Sequence, residues 1–211
     1  MSRIEALIFD CDGVMFESRQ ANLAYYNRIL KQFSYPQVTA DDQEQAHLCH
    51  TASSPQVLQG LMRSEDVQAA LAFASALDYR EFIPHMVPEA HLEEVLSQLS
   101  RHYPLGIATN RGQSIVPILE HFNLKDFFKA IVTSHDVKEP KPAPDMLLLA
   151  AKKLKIKPER CLFIGDSELD QRAAIRANVQ FAGYGSTLSS KITLSSHLDI
   201  LACLDGFAID Q

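Results

Sequence analysis

The chain has 211 residues, 46% of them hydrophobic and 22% charged, with a formal net charge of −6 at pH 7. That is enough for one substantial core, and it argues against a broadly basic nucleic-acid-binding surface. An unbroken apolar run such as Met146 to Ala151 is far too short to span a bilayer, and Met1 to Glu5 does not open a secretory signal, so a cytoplasmic protein without membrane partners is expected.

Ala6-Leu7-Ile8-Phe9 reads as a buried strand opening into a turn at Asp10-Cys11-Asp12-Gly13-Val14. Alternation along the strand sends Asp10 and Asp12 to one side and Cys11 to the packed side. Two carboxylates at a strand's carboxyl end form a hard-oxygen site suited to Mg²⁺, with one group to attack and one to manage a proton, although Asp and Gly also fill ordinary turns. Ser18 to Phe33 then carries Leu23, Tyr26, Ile29, Leu30 and Phe33 at helical spacing, stopped by Ser34-Tyr35-Pro36. From 40 to 82 the pattern stays helical, with stripes at Val57, Leu58, Leu61 and Met62 and at Val67, Ala70, Leu71, Ala74 and Leu77.

Pro84 and Pro88 mark a linker, and Glu89 to Leu99 reads as an amphipathic helix. Strands at Tyr103 to Thr109, Ala130 to Thr133, Cys161 to Ile164 and Val179 to Gly185 then alternate with helices at Ser114 to Phe122, Met146 to Leu154 and Glu168 to Ala177. This alternation predicts an α/β fold, a parallel sheet with helices on both faces and a ligand outside the strands' carboxyl ends. The expected division is a core of residues 1–14 and 83–211 with a helical insertion, 15–82. The four cysteines, Cys11, Cys49, Cys161 and Cys203, lack metal-type or disulfide-framework spacing and read as core or near-core residues of a reducing compartment.

The predicted strand ends carry the remaining chemistry. Thr109 and Asn110 precede Arg111-Gly112-Gln113-Ser114, where Ser114 as helix N-cap would put Pro117 in the first turn. A hydroxyl and main-chain N–H groups at a helix start also suit phosphate oxygens. Lys141 lies in Lys138-Glu139-Pro140-Lys141-Pro142-Ala143-Pro144-Asp145, whose prolines predict an extended loop that holds the ammonium where it neutralises a carboxylate and a phosphoryl group. In Ile164-Gly165-Asp166-Ser167-Glu168-Leu169-Asp170, Asp166 is placed as a metal ligand, while Ser167 and Asp170 have capping-box spacing, which leaves Asp170 a supporting role behind the metal ligands.

In this order, DxDGV, TN, KPxP and GDSxxD resemble the motifs of the haloacid dehalogenase superfamily, in the phosphoglycolate phosphatase and β-phosphoglucomutase-like branch with a helical cap after the first strand. The resemblance implies a Rossmann-like doubly wound parallel sheet and a Mg²⁺-dependent phosphatase acting on a small phosphorylated metabolite. It further implies that Asp10 is the nucleophile, forming an aspartyl phosphate, and that Asp12 protonates the leaving group and later activates water. Thr109 and Asn110 would bind the phosphoryl group, Lys141 would balance charge, and Asp10, the main-chain carbonyl of Asp12 and Asp166 would hold Mg²⁺. Crowding by other carboxylates is expected to raise the pKa of Asp12.

A phosphomutase would use the same residues, and a non-catalytic binding protein the same scaffold, though no catalytic acid is missing. A 2-haloacid dehalogenase needs neither Asp12 nor Asp166, and a phosphonate-cleaving enzyme needs a Schiff-base lysine where only Lys31 stands, in a surface-like helical pattern. Departures from the family pattern fall at Val14-Met15-Phe16-Glu17-Ser18, which puts Glu17 near the leaving group, and at Asn178, where a glycine is common. The polar stretch His50 to Ser54 is the expected specificity loop; His47, Cys49 and His50 lack the further ligands that a zinc site needs.

Overall fold

The computed structural model describes residues 3–185 and 190–209, the last five by their backbone alone. Among these residues the strands are β1 (Ala6–Phe9), β2 (Phe16–Glu17), β3 (Val87–Pro88), β4 (Leu105–Thr109), β5 (Phe128–Thr133), β6 (Cys161–Gly165), β7 (Gln180–Tyr184) and β8 (Thr193–Leu194). The helices are α1 (Arg19–Gln32), α2 (Gln43–Thr51), α3 (Ser54–Leu61), α4 (Ser64–Ala76), α5 (Leu92–Leu99), α6 (Ile115–His121), α7 (Asp145–Leu154), α8 (Glu168–Ala177) and α9 (Leu198–Ile209).

β1 is apolar at every position and must be covered on both faces. Leu7 and Phe9 enter a core built with α5, α6 and α9, whereas Ala6 and Ile8 enter a second core built with α7 and α8. The six-stranded sheet runs β5-β4-β1-β6-β7-β8 with every pairing parallel, so the predicted doubly wound α/β architecture is what the chain forms. The direction of winding reverses at β1, between β4 and β6, which opens a crevice at their carboxyl ends.

Helices α1 to α4 pack on one another around Tyr26, Ile29, Leu58, Val67 and Ala70, a third apolar cluster. The chain enters and leaves this helical segment through β2 and β3, paired antiparallel with Phe16 opposite Pro88 and Glu17 opposite Val87. No helix among the described residues is long and apolar enough to cross a membrane.

Several local expectations give way to backbone detail. α5 starts at Leu92 rather than Glu89 because His91 sits in the left-handed region at φ 63°. Ser114 stands at the N-cap of α6 but makes no side-chain capping bond. The Lys138–Asp145 loop is not extended: it turns back on itself, with Ala143 N–H donating to Pro140 O at 2.9 Å. Asn178 ends α8 at φ 55°, and asparagine tolerates this left-handed geometry better than most side chains, which accounts for its use in place of glycine. β2, β3 and β8 are two residues long, too short for alternation to register, and the high apolar content of α9 leaves little polar face to mark a helical period.

Candidate active site

The parallel register sets Thr109, Asp10 and Asp166 at the adjoining ends of β4, β1 and β6. Asp10 N–H donates to Ile164 O at 2.9 Å, continuing the β1–β6 ladder to the crevice edge. Lys141 Nζ lies 2.9 Å from Asp10 Oδ1 and donates to Asp170 Oδ1 at 2.6 Å, with the side chain only 2% exposed. Asn110 fixes that lysine's backbone: its carboxamide accepts from Lys141 N–H at 3.0 Å and donates to Lys141 O at 3.2 Å. It also donates to Thr51 O at 3.0 Å, so its side chain ties the lysine loop to α2. Asp170 serves two elements, pairing with Lys141 and accepting from Ser167 N–H and Oγ at 3.1 and 2.6 Å in the expected capping box.

Asp10, Asp166 and Asp170 each bring a carboxylate oxygen within 4.8 Å of the others. Gly13, at φ 71°, makes room for Asp166, since a Cβ there would lie 2.0 Å from Asp166 Oδ2. Four carboxylates (Asp10, Asp12, Asp166, Asp170) face two cations (Lys141, Arg111), leaving two negative charges if all are ionised. Burial pushes Asp10 up to about 7 despite Lys141, helped by the charges of Asp170 and Asp12. Burial, with Asp170 and Asp10, pushes Asp166 up to about 8. Burial pulls Lys141 down, but Asp10 and Asp170 outweigh it and hold the ammonium above its ordinary value. An all-oxygen donor set with surplus negative charge fits a hard divalent cation.

The carboxylate of Asp12 turns away from this cluster. It accepts from Ser18 Oγ, from Asn22 Nδ2 at 3.1 Å and from Arg111 Nη2 at 2.5 Å. Although burial works to raise it, Arg111 and His50 prevail and hold the carboxyl below its usual range. The expected upward shift is therefore corrected: the guanidinium, not the neighbouring carboxylates, dominates its surroundings.

Asp10, Asp12, Thr109 and Asn110 line one side of a cavity of about 320 Å³, and Tyr25, His50 and Thr51 line the side formed by the helical segment. Thr51 Oγ1 donates to His47 O, and Ser53 is buried and bonds Gln56 at the start of α3, so within the expected loop these two side chains serve α2 and α3. Glu17 pairs with Arg19 at the surface and does not line the cavity. Sequence reasoning missed Arg111 and Asn22; the only available signal was the position of Arg111 directly after Thr109-Asn110.

The sequence profile of the family described as haloacid dehalogenase-like hydrolase matches residues 7–184. Phosphoglycolate phosphatase of Escherichia coli strain K12 is 37% identical over 109 residues, 50% of this chain, and the chain spans only 43% of that relative. The pyrophosphatase PpaX of Bacillus velezensis is 26% identical over 92% of this chain and 89% of its own length. A crystal structure of a HAD-superfamily hydrolase, subfamily IA, variant 1, from Geobacter sulfurreducens is 36% identical, covers 95% of this chain and 99% of its own, and superposes with a TM-score of 0.83.

Proposed function

The chain belongs to the haloacid dehalogenase-like hydrolase family, and from that premise we propose that it is a Mg²⁺-dependent phosphatase that hydrolyses a small phosphorylated metabolite through a phosphoryl group carried on Asp10. The observation that carries this reading is Asp10 itself, at the end of β1, with Lys141 Nζ at 2.9 Å and the oxygens of Asp166 and Asp170 close by. In this reading residues 1–14 and 83–211 perform the transfer and 15–82 form a cap that covers the substrate and excludes water. A cytoplasmic location agrees with the free thiols of Cys11, Cys49, Cys161 and Cys203.

A carboxylate oxygen of Asp10 attacks phosphorus, and the ester oxygen leaves with a proton from Asp12. Water then attacks the aspartyl phosphate, Asp12 takes its proton, and phosphate departs with Asp10 and Asp12 restored. Arg111 favours the ionised form of Asp12, the form that accepts the proton in the second half-reaction. Thr109 Oγ and the main chain of Asn110 bind the phosphoryl oxygens, and Lys141 reduces the repulsion between Asp10 and the phosphate. Asp10, Asp166 and the main-chain carbonyl of Asp12 would hold Mg²⁺, with Asp170 supporting them, and the ion would supply charge neutralisation at the phosphoryl group.

The test is phosphate release from p-nitrophenyl phosphate and a panel of small phosphate esters. Turnover is expected with Mg²⁺, should vanish with EDTA and should return when Mg²⁺ is restored. Asp10→Asn should lose at least about 10³-fold in kcat while keeping its circular dichroism spectrum. Undiminished turnover in metal-free enzyme, or in Asp10→Asn, would contradict the proposal.

A further inference from the structure

The residues assigned to phosphoryl transfer above all lie outside α1 to α4. One side chain from that helical segment nevertheless reaches the same place. His50, in α2, is buried, lines the cavity and has its Nε2 3.9 Å from Asp166 Oδ2, too far for a hydrogen bond. That nitrogen is buried without a partner.

The neighbour on the other side of the ring fixes where its hydrogen lies. Arg111 Nη2 and Tyr79 OH reach Asn22 Oδ1 at 2.7 and 3.2 Å, and because a guanidinium can only donate, the atom it meets is the carboxamide oxygen. The amide nitrogen of Asn22 therefore faces His50 Nδ1, at 3.4 Å, and the ring nitrogen accepts from it. The imidazole hydrogen is then on Nε2, the atom nearest Asp166. A buried donor left unpaired is costly, so one that persists beside a cavity marks where a ligand supplies the acceptor. The seating of α2 holds that donor in place. His47, His50 and Thr51 share one face of the helix. His47 Nε2 lies 3.2 Å from Glu168 Oε1, and Thr51 O accepts from Asn110 Nδ2 at 3.0 Å, which fastens α2 to the segments that follow β6 and β4.

We propose that His50 is a catalytic residue of phosphoryl transfer, its Nε2–H donating to an oxygen of the phosphoryl group as that group passes from ester to Asp10 and on to water. This deepens the phosphatase reading of the site and rests on it. The hydrogen stays on His50 throughout: Asp10 forms the bond to phosphorus, and the ester oxygen leaves with the proton of Asp12, as before. A fixed N–H aimed at the oxygens over which a loose transition state spreads its charge stabilises that charge without reorganisation. Every phosphate monoester presents the same phosphoryl oxygens, so His50 acts alike on all of them. The residue expected to open a specificity loop serves the chemistry instead.

The experiment follows His50 by long-range proton–nitrogen NMR in the Mg²⁺-loaded wild-type protein, labelled with ¹⁵N at histidine, with the spectrum of His50→Gln identifying its signals. Orthovanadate, which takes the five-coordinate geometry of phosphorus in transfer, is the probe. The ring is expected in the Nε2–H form, and vanadate should move the Nε2–H proton downfield while leaving His197, buried outside the cavity, unshifted. An Nδ1–H form, or an Nε2–H signal that stays in place at vanadate concentrations that inhibit turnover, would overturn the proposal. In kinetics, His50→Leu should lose about 10²-fold in kcat on p-nitrophenyl phosphate, glycerol phosphate and phosphoserine alike. His50→Gln, which keeps an N–H donor, should recover at least about fivefold of that loss. Losses that differ by more than about tenfold among the esters, the mark of a specificity residue, or equal losses in the two variants would contradict the proposal. The NMR result decides the matter even where His50→Leu fails to fold. Failure of the wild type to hydrolyse any of the three esters would instead overturn the phosphatase reading beneath it.

Discussion

Gly13 is the residue on which the carboxylate cluster depends for space. Its φ of 71° favours glycine, and a Cβ would sit 2.0 Å from Asp166 Oδ2. Gly13→Ala should therefore destabilise the fold by about 1–3 kcal/mol through backbone strain, and the displaced Asp166 should raise the Mg²⁺ concentration needed for half-maximal turnover. Urea unfolding and a Mg²⁺ titration check both effects; wild-type values in each would show that Asp166 has room elsewhere. Asp10, Lys141 and Asp166 were legible in the sequence because each lies in a short motif at a strand end. The state of Asp12 was not, because the group that controls it, Arg111, lies 99 positions away and reaches it only through the fold. Asn22 and His50, 28 positions apart, meet only because α1 and α2 pack side by side.

β1, β4 and β6 were legible because they are short apolar runs bounded by turns, and their order places the chemistry. The junction of β7 and α9 was not, although it carries a titratable core group. His197, just ahead of α9, is fully buried, its Nδ1 lies 3.1 Å from Tyr184 OH and its Nε2 has no partner. Burial, helped by His91, lowers its pKa from 6.5 to about 4. Below pH 6.5 the unfolded chain therefore takes up a proton that the folded chain refuses, so stability is fully present above pH 6.5 and falls as the pH drops toward 4. This group alone should cost about 3 kcal/mol across that window. Urea unfolding of the wild type and of His197→Gln from pH 7 to pH 4 checks it: the two stability curves should converge on acidification, and parallel curves would mean that His197 is not the group responsible.

At the scale of the whole molecule, the site is assembled where two separately packed regions meet. Contacts cross between them at Asn110 and Thr51, at Arg111 and Asn22, and at His47 and Glu168, so the cavity needs both. The α/β layering and the helical character of α1 to α4 were legible from periodicity, whereas the contacts that close one region on the other depend on tertiary geometry that no local pattern encodes. The central claim is that Asp10 carries the phosphoryl group between substrate and water. It is tested most directly by millisecond acid quench of the Mg²⁺-loaded Asp12→Ala variant with p-nitrophenyl phosphate, whose leaving group needs no proton, followed by peptide mass spectrometry. The expected result is a phosphoryl group on the peptide containing Asp10, absent when Asp10→Asn is added. Phosphate release without that adduct, or the same adduct in the Asp10→Asn background, would contradict the claim.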